Sequence, residues 1–162
     1  MHVRVATPGD APAVRRVADA AWHDAHAPIV GAAAVEEFLA KHYDPDELRE
    51  RFRDSDSTTF VAADGADGDI VGYAAGVPGE DAYDLGSIYV HPDRQGGGVG
   101  SRLLEAVESL GREEGYDTLR LVVMADNDEA RGFYEARGFE HAADDYDAGL
   151  EVENCVYEKS LD

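Results

Sequence analysis

Apolar positions along this chain follow two rhythms, one of period two and one of period near 3.6. Residues 2–5 alternate weakly and predict a first strand. Thr7-Pro8-Gly9-Asp10 forms a turn with an N-cap candidate, after which Ala13, Val14, Val17, Ala18, Ala21 and Trp22 recur at helical spacing. Pro28, within residues 27–31, predicts a break. Val35, Phe38 and Leu39 predict a second helix, and Asp44-Pro45 opens a short third that runs through Leu48 and Phe52. Strand-like runs at residues 58–63 and 69–77 flank Asp64-Gly65-Ala66-Asp67-Gly68, a turn-rich hairpin connector without the ligand order of a calcium loop. A strand at residues 83–90 precedes a helix at 101–114 that buries Leu103, Leu104, Val107 and Leu110. An apolar strand at 118–124, a helix at 128–137 and paired strands at 139–146 and 151–158 complete the chain. This order predicts an α/β fold, a mixed central sheet flanked by helices on both faces, as a single domain over residues 1–162.

Chemistry concentrates where the 83–90 strand meets the 101–114 helix. Pro92-Asp93-Arg94-Gln95-Gly96-Gly97-Gly98-Val99-Gly100 clears side chains from a loop that feeds a helix N-terminus. Unpaired backbone N–H groups and the positive end of the helix dipole make such a loop an anion site, with phosphate or pyrophosphate as the ligand it suits. A Walker loop requires Gly-Lys-Ser/Thr, and no lysine is present here. A dinucleotide fingerprint requires a third glycine where this chain has Ser101. Both features count against an ATP- or NAD-binding protein.

What remains, Gln95-x-x-Gly98-x-Gly100, resembles the coenzyme A pyrophosphate loop of the GCN5-related N-acetyltransferase (GNAT) family. Asn127-x-x-Ala130-x-x-Phe133-Tyr134-Glu135-x-x-Gly138-Phe139 is similar to that family's next motif, with one helix and one strand between the two. The resemblance spans roughly residues 3–159, the first half in outline only. It implies a GNAT fold, acetyl-CoA as acyl donor, no metal, and direct attack of a primary amine on the thioester carbonyl in a ternary complex. A non-catalytic acyl-CoA sensor or interaction module of the same fold is the alternative that it leaves open. The implied acceptor is a small-molecule or peptide amine, and homodimers are common in the family.

Carried over position by position, the resemblance assigns the coenzyme to Gln95, Gly96, Gly97, Gly98, Val99, Gly100 and Ser101, and its pantetheine arm to strand backbone at Ile88 and Val90. Ile88 would also supply the oxyanion donor. Asn127 matches a pantetheine-binding position and equally suits a helix N-cap. Tyr134 matches the tyrosine that faces the coenzyme sulfur and would serve as acid, protonated at neutral pH. For the base, Asp84 lies four residues before Ile88 on the same strand, and that even spacing puts both side chains on one face. Aspartate is shorter than the glutamate usual there, which favours a bridging water. His23, His26 and water are the other candidates for that step. The two histidines share a helix face, but no third metal ligand accompanies them. Many family loops carry a basic residue near position 97, where this chain has glycine. Phosphate charge would then fall to the backbone, the helix dipole, and Arg94 or Arg102.

Composition adds one unusual fact. Asp plus Glu number 35 against 14 Lys plus Arg, a net charge of −21, and Lys41 and Lys159 are the lysines. Acids spread along the whole chain, few lysines and many small residues resemble proteins of extreme halophiles, whose self-repulsion is screened by molar salt. An acidic surface for a basic partner is the rival reading. The charge disfavours nucleic-acid binding, and ordinary apolar content disfavours disorder. One cysteine, Cys155, excludes an internal disulfide and reads as a small buried hydrophobe. No apolar run would span a membrane and no signal pattern opens the chain, so the expected compartment is the cytoplasm.

Overall fold

In the computed structural model, residues 1–53, 55–65 and 68–162 are described. Seven strands form one sheet in the order β1-β2-β3-β4-β5-β7-β6. β1 (His2–Val5), β2 (Thr58–Asp64), β3 (Asp69–Pro78) and β4 (Tyr83–Val90) pair antiparallel in sequence order. β4 then meets β5 (Thr118–Met124) in parallel, and β7 (Val152–Ser160) inserts antiparallel between β5 and β6 (Glu140–Asp147). The sheet is mixed, as the order of elements predicts. Ala66 and Asp67 of the expected hairpin connector lie outside the described residues.

Each sheet face buries its own cluster. α1 (Ala11–Val30), α2 (Ala32–His42) and α3 (Pro45–Arg53) cover one face, with Val14, Val17, Trp22, Leu39 and Leu48 packed on Val61 and Tyr73. α4 (Val99–Glu113) and α5 (Asp128–Glu135) cover the other, where Leu103, Leu104, Val107 and Tyr134 pack on Leu85, Leu119 and Leu121. Cys155 is buried in that second core, as expected of a small apolar residue. No helix among the described residues is long and apolar enough to cross a membrane.

Two local expectations fail. The break at Pro28 is absent: α1 runs through it to Val30 and stops at Gly31, whose φ of 91° is readily adopted by glycine. Pro28 forfeits one backbone bond, but its half of α1 still packs through the buried His26. Secondly, α4 begins at Val99 rather than Ser101, so part of the glycine loop is already helix. Gly98, with φ 84° and ψ 6°, is the N-cap that turns the chain into it.

Candidate active site

The sheet opens at its centre. β4 and β5 pair only at Tyr83–Leu119, Asp84–Arg120 and Leu85–Leu121. Beyond Leu85 the two strands are no longer paired to each other, although β4 stays paired to β3 and β5 to β7. Residues 86–90 and 122–124 thereby present strand edges to a cleft of about 760 Å³. Val122, 53% exposed although fully apolar, is part of its wall. An extended ligand fits such a gap as an added strand, bonding the free edge of β4.

At one end of the cleft stands the N-terminus of α4. Arg102 N–H donates to Gly98 O at 3.2 Å, the first bond of the helix. The N–H groups of Val99, Gly100 and Ser101 precede that ladder and point outward with the helix dipole. Gly96, Gly98, Val99, Gly100, Ser101 and Gln95 all line the cleft, whereas Gly97 does not. A side chain at Gly96 or Gly98 would find open space, but φ is 84° at both, so glycine here serves backbone shape. At Gly100 the need is room: a Cβ would lie 3.2 Å from the Phe133 ring.

The middle of the cleft holds Ile88, Val90, Asn127 and Tyr134. Asn127 caps α5, its Oδ1 accepting from Ala130 N–H at 3.2 Å, and it lines the cleft as well. The two roles weighed for it are thus compatible in one rotamer. Tyr134 is buried, packed edge-on between Phe133 and Phe139, and burial pushes its hydroxyl well above the ordinary tyrosine range. The phenol is therefore protonated at neutral pH.

The other end is walled by α1, α2 and β4. Trp22 stacks on Phe38 with centroids 4.2 Å apart, and Tyr89 lies 5.5 Å from Trp22. His26 Nε2 is hydrogen-bonded to Tyr89 Oη at 3.0 Å, and its buried Nδ1 has no partner among the described residues. Burial lowers the His26 pKa to about 4, so the imidazole is neutral at pH 7. His23 lies outside the cleft, 3.9 Å from Asp19. Asp24 and Asp147 line this end too, and Asp147 Oδ1 is anchored by the N–H groups of Gly149 and Leu150.

Asp84 does not share a face with Ile88. Ala75 pairs with Ser87 and Gly76 with Leu85, which leaves Gly86 as an extra residue, a β-bulge on β4. The bulge shifts the alternation by one. Asp84 therefore points to the same side as Ser87 and Tyr89, and Ile88 to the side of Leu85. Asp84 is also absent from the cleft lining; it sits under Gly79 and beside Arg120, and its pKa is raised, burial outweighing the lowering by that arginine.

The cations differ from expectation as well. Arg94 lines the cleft but is paired with Asp64, and Arg102 donates to Met1 O and does not line it. Arg137, which the sequence reading passed over, lines the cleft beside Ser101. Its spacing of four from Phe133 was the available signal, since it places the guanidinium over that ring at 3.6 Å.

A strand splay beneath a glycine-capped helix, with a buried phenol between them, suits an extended thioester ligand that carries phosphate, as acyl-coenzyme A does. The sequence profile of the Acetyltransferase (GNAT) family matches residues 19–139, and the chain is 31% identical over 147 residues, 85% of each protein, to Aminoglycoside N(6')-acetyltransferase type 1 of Stenotrophomonas maltophilia. The chain belongs to the GNAT family and is an acetyl-CoA-dependent acetyltransferase. Its fold is also that of the PaiA N-acetyltransferase of Thermoplasma acidophilum, solved in complex with coenzyme A (TM-score 0.84, 21% identity, 99% of each chain). A GCN5-related N-acetyltransferase of Rhodopseudomonas palustris aligns with a TM-score of 0.81 at 24% identity, over 98% of this chain and 94% of that one.

Proposed function

We propose that this protein acetylates a primary amine by direct attack within a ternary complex, with a small cationic amine as acceptor. The observation that carries this is the continuous cleft, with the α4 N-terminus at one end, the β4–β5 splay in the middle and the aromatic, acidic wall of α1, α2 and Asp147 at the other. Pyrophosphate suits the first, pantetheine the second and the acceptor the third. The amine nitrogen forms a bond to the thioester carbonyl carbon, and the oxyanion accepts from strand backbone at Ile88. On collapse the carbon–sulfur bond breaks, and the thiolate takes a proton from Tyr134. The ammonium is deprotonated by water before attack and the second amine proton leaves the same way, at the open end where Asp24 and Asp147 supply carboxylates, and Tyr134 regains its proton from solvent. A cationic acceptor fits those two acids, and the relative named for aminoglycosides acts on molecules that carry several amines.

A thioester-cleavage assay in molar salt, run over aminoglycosides, aliphatic polyamines and short peptides, tests this reading. Amine-dependent release of coenzyme A thiol on the cationic small molecules is the expected result. Tight coenzyme binding with no turnover on any of these amines would overturn the proposed acceptor class.

A further inference from the structure

A chain with a net charge of −21 must hold a coenzyme that is itself a polyanion, and its glycine loop carries no cation at position 97. The arginine reserved for this task comes from elsewhere in the fold. Arg94 is neutralised by Asp64, and Arg102 is turned away to Met1 O. Arg137 is built differently. Its Nε and one terminal nitrogen donate to Ser101 Oγ at 3.1 and 2.7 Å, and the other terminal nitrogen donates to Phe133 O at 2.8 Å. Three neutral contacts orient the guanidinium, the Phe133 face supports it at 3.6 Å, and no carboxylate pairs with it among the described residues. Five N–H groups less three leaves two undirected toward protein. Ser101 lies in the first turn of α4, so the charge stands where the unpaired N–H groups converge. Gly100 completes the device: its missing side chain admits the Phe133 ring on which Arg137 rests.

We infer that Arg137 binds the coenzyme pyrophosphate, and so replaces from α5's C-terminal side the basic residue that the loop lacks. The inference rests on the coenzyme use established above and predicts how this particular chain achieves it. A guanidinium preset over an aromatic ring loses little freedom on binding, and its fork matches two phosphate oxygens.

Calorimetric titration of wild type, Arg137→Gln and Arg137→Lys with coenzyme A and with dephospho-coenzyme A tests it, with pantetheine measured by competition. Arg137→Gln should weaken both phosphate-bearing ligands by roughly 10- to 100-fold, the range of a charge-assisted hydrogen bond. Arg137→Lys should recover part of that loss, and pantetheine affinity should match wild type. Thermal melts accompany each variant, and Arg137→Met, which still covers Phe133, stands in if Arg137→Gln melts early. Affinity of Arg137→Gln within twofold of wild type overturns the inference. So does an equal loss with pantetheine, which would make Arg137 a packing residue, or a loss that vanishes with dephospho-coenzyme A, which would move its contact to the 3'-phosphate. Failure of wild type to bind coenzyme A at all would instead strike the site assignment itself.

Discussion

Replacing Gly98 by aspartate and, separately, by asparagine isolates the electrostatics of the anion cradle. Position 98 is the N-cap of α4, with φ 84° and ψ 6°, and a Cβ there meets nothing within 4 Å. Aspartate and asparagine have nearly the same shape, both tolerate the left-handed region better than other L residues, and both cap helices well. Their shared cost is backbone strain of about 1 kcal/mol. They differ by one negative charge at the point proposed for the phosphates. At about 5 Å and an effective dielectric of about 20, that charge opposes each phosphate charge by about 3 kcal/mol, equivalent to roughly a hundredfold in affinity. Titration with coenzyme A at fixed ionic strength reads the difference directly. Gly98→Asn should lose about tenfold or less, and Gly98→Asp should bind at least about a hundredfold more weakly than Gly98→Asn. Equal affinities for the two variants would refute the placement of phosphate at the α4 N-terminus.

The other predictions each isolate one group. Tyr134→Phe should lower kcat by roughly a hundredfold with coenzyme affinity nearly unchanged; an unaltered kcat removes Tyr134 as the acid. Asp84→Asn should leave kcat/KM within about threefold, less than the loss expected of a general base; a hundredfold drop would restore Asp84 to the reaction. His26 is held at a pKa of about 4, below its ordinary 6.5, so the unfolded chain binds the proton more readily. Its burial therefore supports full stability above about pH 6.5 and loses it as pH falls toward 4, by up to about 3 kcal/mol. His26→Gln should flatten that part of the acid unfolding curve measured by circular dichroism. The charge of −21 predicts a lower melting temperature in dilute buffer than in molar salt, and equal melting in both would remove the argument from halophile-like composition.

Periodicity located the strands and helices because each carries one buried stripe, and the fold class followed from their order. The exceptions mark where a pattern of residue types underdetermines backbone geometry. Pro28 reads as a breaker, but a helix that packs through His26 and Trp22 on the same side tolerates one lost bond. Gly86 reads as one more strand residue, yet it is the bulge that separates Asp84 from Ile88. No side chain announces such a bulge, since it arises from how two neighbouring strands run out of register. The coenzyme end of the site was legible because glycines and a helix start are local features. The end proposed for the acceptor was not, because Trp22, Phe38, Tyr89 and Asp147 come together only when four elements pack.

The same bulge accounts for the opening of the sheet. A parallel pair of strands normally continues for as long as both are extended, and β4 and β5 are both extended past Leu85. At Gly86 the extra residue turns β4 relative to its neighbours, and parallel pairing stops one residue earlier, at Leu85–Leu121. The edge that results leaves N–H and C=O groups without a strand partner. Here the groups open onto a cleft wide enough for an extended ligand with its own amides, such as pantetheine. One extra glycine thus separates the Asp84 side chain from that of Ile88, and strand backbone is left facing the cleft. The proposed mechanism therefore draws on strand backbone and Tyr134 rather than on Asp84, which is why the Asp84 and Tyr134 substitutions are expected to part so widely.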